Sequence, residues 1–274
     1  MDARHIISSL VGEPRALIGV VHVQALPGTS ASRLDVAAVA SIAVSEARLY
    51  RDAGFNALMI ENTHDRPYLK VDVGPEIVAG MTVVAAEVRR ATDLPLGVQV
   101  LAGANKSAVA IGLSAGAAFV RVEGFVFAHV ADEGLIEASA GSLLRYRRAI
   151  GGDHVRVFAD IKKKHSAHAL TADVDIAETA KAAEFFLVDG VIVSGVATGQ
   201  PADAGQVEAV ARSVSVPTLV GSGVTARNIA RYPGADAFIV GSSIKEGGLW
   251  SNPIDKGRAA ELVRAFRALP RGPG

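Results

Sequence analysis

The stretch Leu17-Ile-Gly-Val-Val-His-Val23, followed by Asp35–Ala53, Gly54 and Ala57-Leu-Met-Ile60, sets the reading of the whole chain. Leu17–Val23 is a short, β-branched apolar run, as expected of a parallel strand buried on both faces. In Asp35–Ala53, the residues Val36, Val39, Ala43, Ala47 and Tyr50 recur at helical spacing. Asp35 suits the N-cap of that helix and Gly54 its terminator. Ala57–Ile60 is then a second strand, which completes one strand–helix–strand unit.

Working outward, the scheme repeats. Further strands are expected at Leu96–Val100, Ala117–Val122, Val155–Ile161, Leu187–Val193, Thr218–Val220 and Ala237–Val240. Helices are expected at Asp173–Phe185, Asp203–Val214 and Asp255–Leu269, each opening on an Asp that suits a helix N-terminus. Eight strands, each followed by a helix, predict an α/β chain folded as a parallel (β/α)8 barrel, the TIM barrel, in one domain spanning residues 1–274. The competing architecture is a doubly wound open sheet. It predicts fewer strands, a reversal of strand order and an N-terminal dinucleotide fingerprint.

Composition narrows the function. The 274 residues carry 28 Lys and Arg against 28 Asp and Glu, a net charge of zero that offers no basic field for nucleic acid. Half of the residues are apolar, which excludes intrinsic disorder. There is no Cys, hence no disulfide framework, thiolate metal site or thiol nucleophile. The longest weakly polar run lies between Lys106 and Arg121 and is too short to span a bilayer. The N-terminus has no apolar segment with a cleavage site. A cytoplasmic protein, without a membrane span and assembled as a homo-oligomer, is expected.

In a barrel of this type, chemistry sits at the C-terminal ends of the strands. Those positions hold His22, Glu61, Gln99, Arg121, Glu123, Asp160, Lys162, Lys164, Ser194 and Lys245. Gly221-Ser222-Gly223 and Gly241-Ser242-Ser243 leave strands seven and eight as Gly/Ser turns that are expected to enter helices. Loops after those two strands recurrently bind phosphate, and Gly allows close approach of backbone amides to it. Thr198 and Gly199, after strand six, are expected to supply a third wall. Gly and Ser in tight turns are the bland explanation of the same residues. Gly221–Ala226 also matches a dinucleotide pattern, but one strand alone follows it and Asp236 comes too early for the ribose contact.

Asp160, Lys162 and Lys164, with Glu61, His22 and Glu123, are the expected catalytic set. A Lys beside a carboxylate in a barrel mouth can shuttle protons or form a Schiff base. The bland alternative is that these carboxylates pair with Arg66, Arg121 and the loop lysines, an Asp160–Lys pair tying down the strand-five loop. No cofactor is predicted, although three carboxylates facing one pocket could hold a divalent cation such as Mg2+. A transition-metal site is disfavoured: His22-Val-Gln24 stands where metal-hydrolase barrels carry His-x-His, and His165 and His168 are off-spacing.

Longer stretches carry a family resemblance. They include Ile18–Gly28, Ile60-Glu-Asn-Thr-His-Asp-Arg-Pro67, Asp132–Glu137, Leu144–Arg147, Ala159–His165, Ala197–Gly199, Gly221–Val224 and Val240–Lys245. Together they resemble the BtpA/SgcQ family of ribulose-phosphate-binding-type barrels. The chain departs from the commoner family pattern after strand three, at Gln99-Val-Leu-Ala-Gly-Ala104, and at Val122-Glu-Gly124, so it looks like a subgroup. The resemblance implies a role in photosystem I assembly or abundance and carries no reaction. Two functions are therefore in play. One is an enzyme for a small phosphorylated ligand, a sugar phosphate or nucleotide-like compound, using lyase, isomerase or glycosyl-cleaving chemistry. The other is a non-catalytic assembly or regulatory factor, which a large exposed apolar patch away from the mouth would favour.

Overall fold

The computed structural model describes residues 4–195 and 199–270. The barrel strands are β1 (Ala16–His22), β2 (Ala57–Glu61), β3 (Leu96–Gln99), β4 (Phe119–Val122), β5 (Arg156–Ile161), β6 (Gly190–Val193), β7 (Thr218–Val220) and β8 (Ala237–Val240). All pair in parallel with their sequence neighbours, and β8 closes on β1. The helices are α1 (Arg4–Val11), α2 (Val36–Ala53), α3 (Pro75–Thr92), α4 (Asn105–Ala115), α5 (Ala140–Ala149), α6 (Ile176–Phe185), α7 (Ala204–Ser213) and α8 (Lys256–Arg267). No helix of the described residues is long and apolar enough to cross a membrane.

Side-chain alternation splits the core in two. Outward residues such as Leu17, Val21, Leu58, Ile60 and Val98 pack against Val39, Ala47, Val84 and Val88 of the helices. Inward residues Ile18, Val20, Met59, Phe119, Phe158, Ile192, Leu219 and Ile239 fill the barrel, and Ile7 of α1 plugs its lower end. The register sets these residues side by side: Val20 pairs with Met59, Met59 with Gly97 and Gly97 with Phe119. Gly97 is required there, because a Cβ would overlap the Phe119 ring. The Phe119 and Phe158 rings, on neighbouring strands, then meet inside the barrel at 5.3 Å.

Three details differ from the expectation. The helix placed at Asp173–Phe185 begins at Ile176, because the Asp175 carboxylate accepts the Glu178 amide and so fixes the cap. Strand six starts at Gly190 rather than Leu187, since Leu187 is in the left-handed region just past α6. The two Gly/Ser turns do not enter α-helices. The segment after β7 forms a single 3-10 turn at Ile229–Arg231, and Ser242–Ile244 is another. A three-stranded antiparallel sheet at the upper end was not anticipated. It joins His129–Ala131 to Gly134–Ile136 and to Ser166–Ala167.

Candidate functional site

The inward alternation that is apolar at the base turns polar at the top. On β1 it runs Ile18, Val20, His22; on β5 it runs Phe158, Asp160. The tops enclose a cavity of about 310 Å3. Its lining combines the strand-end loops Gly221–Gly223 and Gly241–Ser243 and Gly199 with the side chains of His22, Glu61, Arg121, Glu123 and Lys164.

The loops that frame it are held from below by buried polar links. Asp65 accepts the Leu26 amide at 2.8 Å and the Asn62 side chain at 2.9 Å, and Asn62 accepts the Leu101 amide at 2.8 Å. These three bonds tie the loops after β1, β2 and β3 together. Lys245, 2% exposed, donates to Glu46 of α2 at 2.8 Å and anchors the loop after β8.

Three consecutive lysines leave β5 and take three different roles. Lys162 and His165 both have positive φ, at 46° and 54°. Such non-Gly conformations cost of order 1–3 kcal/mol each and persist where surrounding structure imposes them. The turn sends Lys162 away from the cavity, where its amine donates to the carbonyl and hydroxyl of Thr171 at 2.7 and 3.1 Å. Lys163 donates to Glu123 at 2.9 Å. Burial opposes the Lys163 charge, but Glu123 outweighs it and holds the amine above its ordinary value. Lys164 faces the cavity, and among the described residues its amine makes no hydrogen bond or ion pair. Burial, helped by the Arg121 charge, lowers its pKa against the pull of Glu61, Asp160 and Glu123.

Asp160 does not line the cavity. Both of its oxygens are taken by Arg121, at 2.7 and 2.9 Å, in a bidentate pair of which only Arg121 lines the cavity. Burial works against the Arg121 charge, yet Asp160 overrides it and raises the guanidinium further. Glu61 lines the cavity and accepts the Thr63 hydroxyl at 3.3 Å. His22 Nδ1 sits 2.9 Å from the Trp250 carbonyl, which can only accept, so Nδ1 carries the proton and Nε2 keeps its lone pair. Burial and then the Lys245 charge lower the His22 pKa to about 3, so the ring is neutral near pH 7.

On the loop side, Gly223 has φ +62°, and a Cβ there would overlap the Gln200–Pro201 backbone. A Cβ on Gly241 would lie 2.9 Å from His22 Nε2. The Ser243 hydroxyl is buried without a partner among the described residues. Ser222 donates to the Gln200 carbonyl at 3.1 Å. Thr198 lies outside the described residues.

The structure thus brings His22, Glu61, Glu123 and Lys164 together with Gly199, Gly221–Gly223 and Gly241–Ser243. It turns Lys162 away and engages Asp160 below. Among the described residues no three His, Asp or Glu side chains are grouped to hold a metal ion. The lining residues that were not anticipated include Tyr68, Asp132, Glu133 and Trp250. Trp250 is the single Trp of the chain, set among turn residues after β8, and that was a usable signal. It supports the Arg66 guanidinium, 5.1 Å above its ring, at the rim. Asp132 and Glu133 form the two-residue turn of the hairpin in the small sheet.

A family profile described as the BtpA family matches residues 13–268. The chain belongs to the BtpA family. Among BtpA relatives, an uncharacterised Caenorhabditis elegans protein labelled mitochondrial is 41% identical over 99% of this chain and 100% of its own length. The photosystem I biogenesis protein BtpA of Synechocystis is 34% identical over 91% of this chain and 87% of its own. Among solved structures, the (S)-3-O-geranylgeranylglyceryl phosphate synthase of Thermoplasma acidophilum, bound to sn-glycerol-1-phosphate, aligns with TM-score 0.58. It covers 98% of this chain and 100% of its own, at 14% identity. The N-(5'-phosphoribosyl)anthranilate isomerase of Pyrococcus furiosus aligns with TM-score 0.55 at 12% identity, over 93% of this chain and 100% of its own. At these identities the likeness concerns the barrel alone.

Proposed function

We propose that this BtpA-family barrel is an enzyme acting on a small phosphorylated metabolite. One observation carries the reading: the Gly/Ser loops after β7 and β8 and the group His22, Glu61 and Lys164 open into the same cavity. Backbone amides at Gly223 and Ser243, approached closely because Gly221, Gly223 and Gly241 lack side chains, bind the phosphoryl group. The orphaned Ser243 hydroxyl is a further donor for it. Anchored there, a small substrate reaches a neutral imidazole lone pair, a carboxylate and a free amine, which suits proton-transfer chemistry in lyase, isomerase or glycosyl-cleaving reactions. That two phosphate-substrate enzymes share the fold supports the reading without supplying a reaction.

A thermal-shift comparison of small sugar phosphates with their unphosphorylated sugars tests it. A ligand at 100 times its Kd stabilises the native state by about 2.7 kcal/mol, so only the phosphorylated members should raise Tm. Gly223→Val should remove the shift. Equal shifts from both classes would refute the phosphate reading.

One observation favours a second reading, an assembly or regulatory factor. Phe185, Phe186 and Leu187 sit in a row at the C-terminal end of α6, with Phe185 83% and Leu187 73% exposed, at the end of the barrel opposite the cavity. Such a patch suits contact with another protein. The Synechocystis relative's name, a photosystem I biogenesis protein, points the same way.

A further inference from the structure

We infer that Lys164 forms an imine with the carbonyl carbon of a phosphorylated aldehyde or ketone held in the cavity. The inference rests on the phosphate reading above and names the substrate class for it.

The argument starts from the three lysines. Their types are the same and their surroundings are not. Lys162 has two oxygen acceptors on Thr171, and Lys163 has the Glu123 carboxylate. Lys164 has neither, although it lies on the cavity wall amid Glu61 and Glu123 and above the Arg121–Asp160 pair. A structural lysine is normally found with a carboxylate partner when it is drawn from water. Here the carboxylates below it are already taken: Asp160 by Arg121 and one Glu123 oxygen by Lys163. The left-handed residues Lys162 and His165 bracket Lys164, and the turn that sends Lys162 away to Thr171 keeps Lys164 on the cavity wall beside Lys163 and His165. Strain of that kind collects where a side chain must be aimed. Burial, and after it nearness to the Arg121 guanidinium, disfavours the ammonium form, which leaves more of the amine as a nucleophile.

The step balances without an added oxidant or reductant. The Lys164 nitrogen adds to the carbonyl carbon, and the carbonyl π pair moves to oxygen. That oxygen takes a proton and the nitrogen gives one up, yielding a carbinolamine. The C–O bond then breaks, oxygen leaves as water with a second proton, and the nitrogen pair closes the C=N bond. Glu61, on the same wall, is placed to relay these protons, and His22 Nε2 presents a lone pair to receive one. The resulting imine is an electron sink for bond cleavage or proton loss at the adjacent carbon.

Pyridoxal 5'-phosphate is the probe, with pyridoxal as its unphosphorylated twin. Each is mixed with the intact protein, reduced with borohydride to fix any imine, and the labelled peptides are mapped by mass spectrometry. The expected result is labelling at Lys164 by pyridoxal 5'-phosphate about tenfold faster than at the exposed Lys70 and Lys256. Inorganic phosphate should suppress it, pyridoxal should react poorly, and Lys164→Met, folded by its Tm, should lose the label. Labelling of Lys164 by both compounds alike, unaffected by phosphate, would keep the imine and refute the phosphate site. Phosphate-competed binding of pyridoxal 5'-phosphate with adducts on exposed lysines only would overturn the imine and keep the phosphate site. Lack of both binding and Lys164 label overturns both.

Discussion

The lower and upper halves of the barrel are built by the same strands, yet they obey different rules. Two residues apart on β5, Phe158 closes an apolar interior and Asp160 holds a buried guanidinium. Two residues apart on β1, Val20 packs in that interior and His22 opens on the cavity. In the lower half, Ile18, Met59, Phe119, Phe158, Ile192, Leu219 and Ile239 pack into one apolar cluster. In the upper half, Lys164 and Ser243 are left with groups unpaired among the described residues. The apolar interior lies below and the titratable side chains lie above, as in barrels generally.

Mutations can break this division. The largest loss of stability is expected from Phe158→Ala, about 3–5 kcal/mol by denaturant unfolding, because it empties space facing Phe119 inside a closed cylinder. Phosphate affinity of the remaining folded protein should be unchanged. Asp160→Asn should cost about 3 kcal/mol or more, since it strands the Arg121 charge in a buried position. If Asp160→Asn unfolds like wild type while catalysis disappears, Asp160 belongs to the chemistry and the boundary lies lower than drawn here.

A smaller effect concerns pH. The His22 pKa is about 3 in the folded protein and about 6.5 in the unfolded chain. Below pH 6.5 the unfolded chain takes up a proton that the native ring refuses. The His22 contribution is therefore complete above pH 6.5 and is lost progressively as pH falls toward 3. A His22→Gln variant should show a flatter fall in Tm between pH 6.5 and 4 than wild type. Parallel profiles would mean that His22 is not held neutral by burial.

The smallest expected change is at Lys164. Lys164→Met removes an amine that has no partner among the described residues and should alter stability by less than about 1 kcal/mol, in either direction. A loss as large as that of Asp160→Asn would reveal a structural ion pair and move Lys164 to the stabilising half.

How much of this was legible in the sequence follows from the physics of each feature. The barrel was, because β-branched runs and helix periods are local signals, and Asp35, Asp203 and Asp255 do cap their helices. The strand-end positions of His22, Glu61 and Glu123 were legible by alternation. The fates of Lys162, Lys163 and Lys164 were not. They depend on two left-handed backbone positions and on partners at Thr171, Glu123 and Arg121, none of which spacing reveals. Asp160 illustrates the same limit, since its choice of Arg121 is a contact across neighbouring strands. Helix α1 was missed because Arg4–Val11 is short, and its apolar face is read only once the barrel floor exists to receive Ile7.

The central claim is that a phosphoryl group binds between the β7 and β8 loops with its carbon chain toward Lys164. A crystal structure of the protein with a small sugar phosphate tests this most directly. The account predicts phosphoryl oxygens about 2.7–3.1 Å from the amides of Gly223 and Ser243, with the carbonyl end of the sugar directed at the Lys164 amine. A phosphoryl group held instead at the rim by Arg66, with the β7 and β8 loops empty, would contradict it.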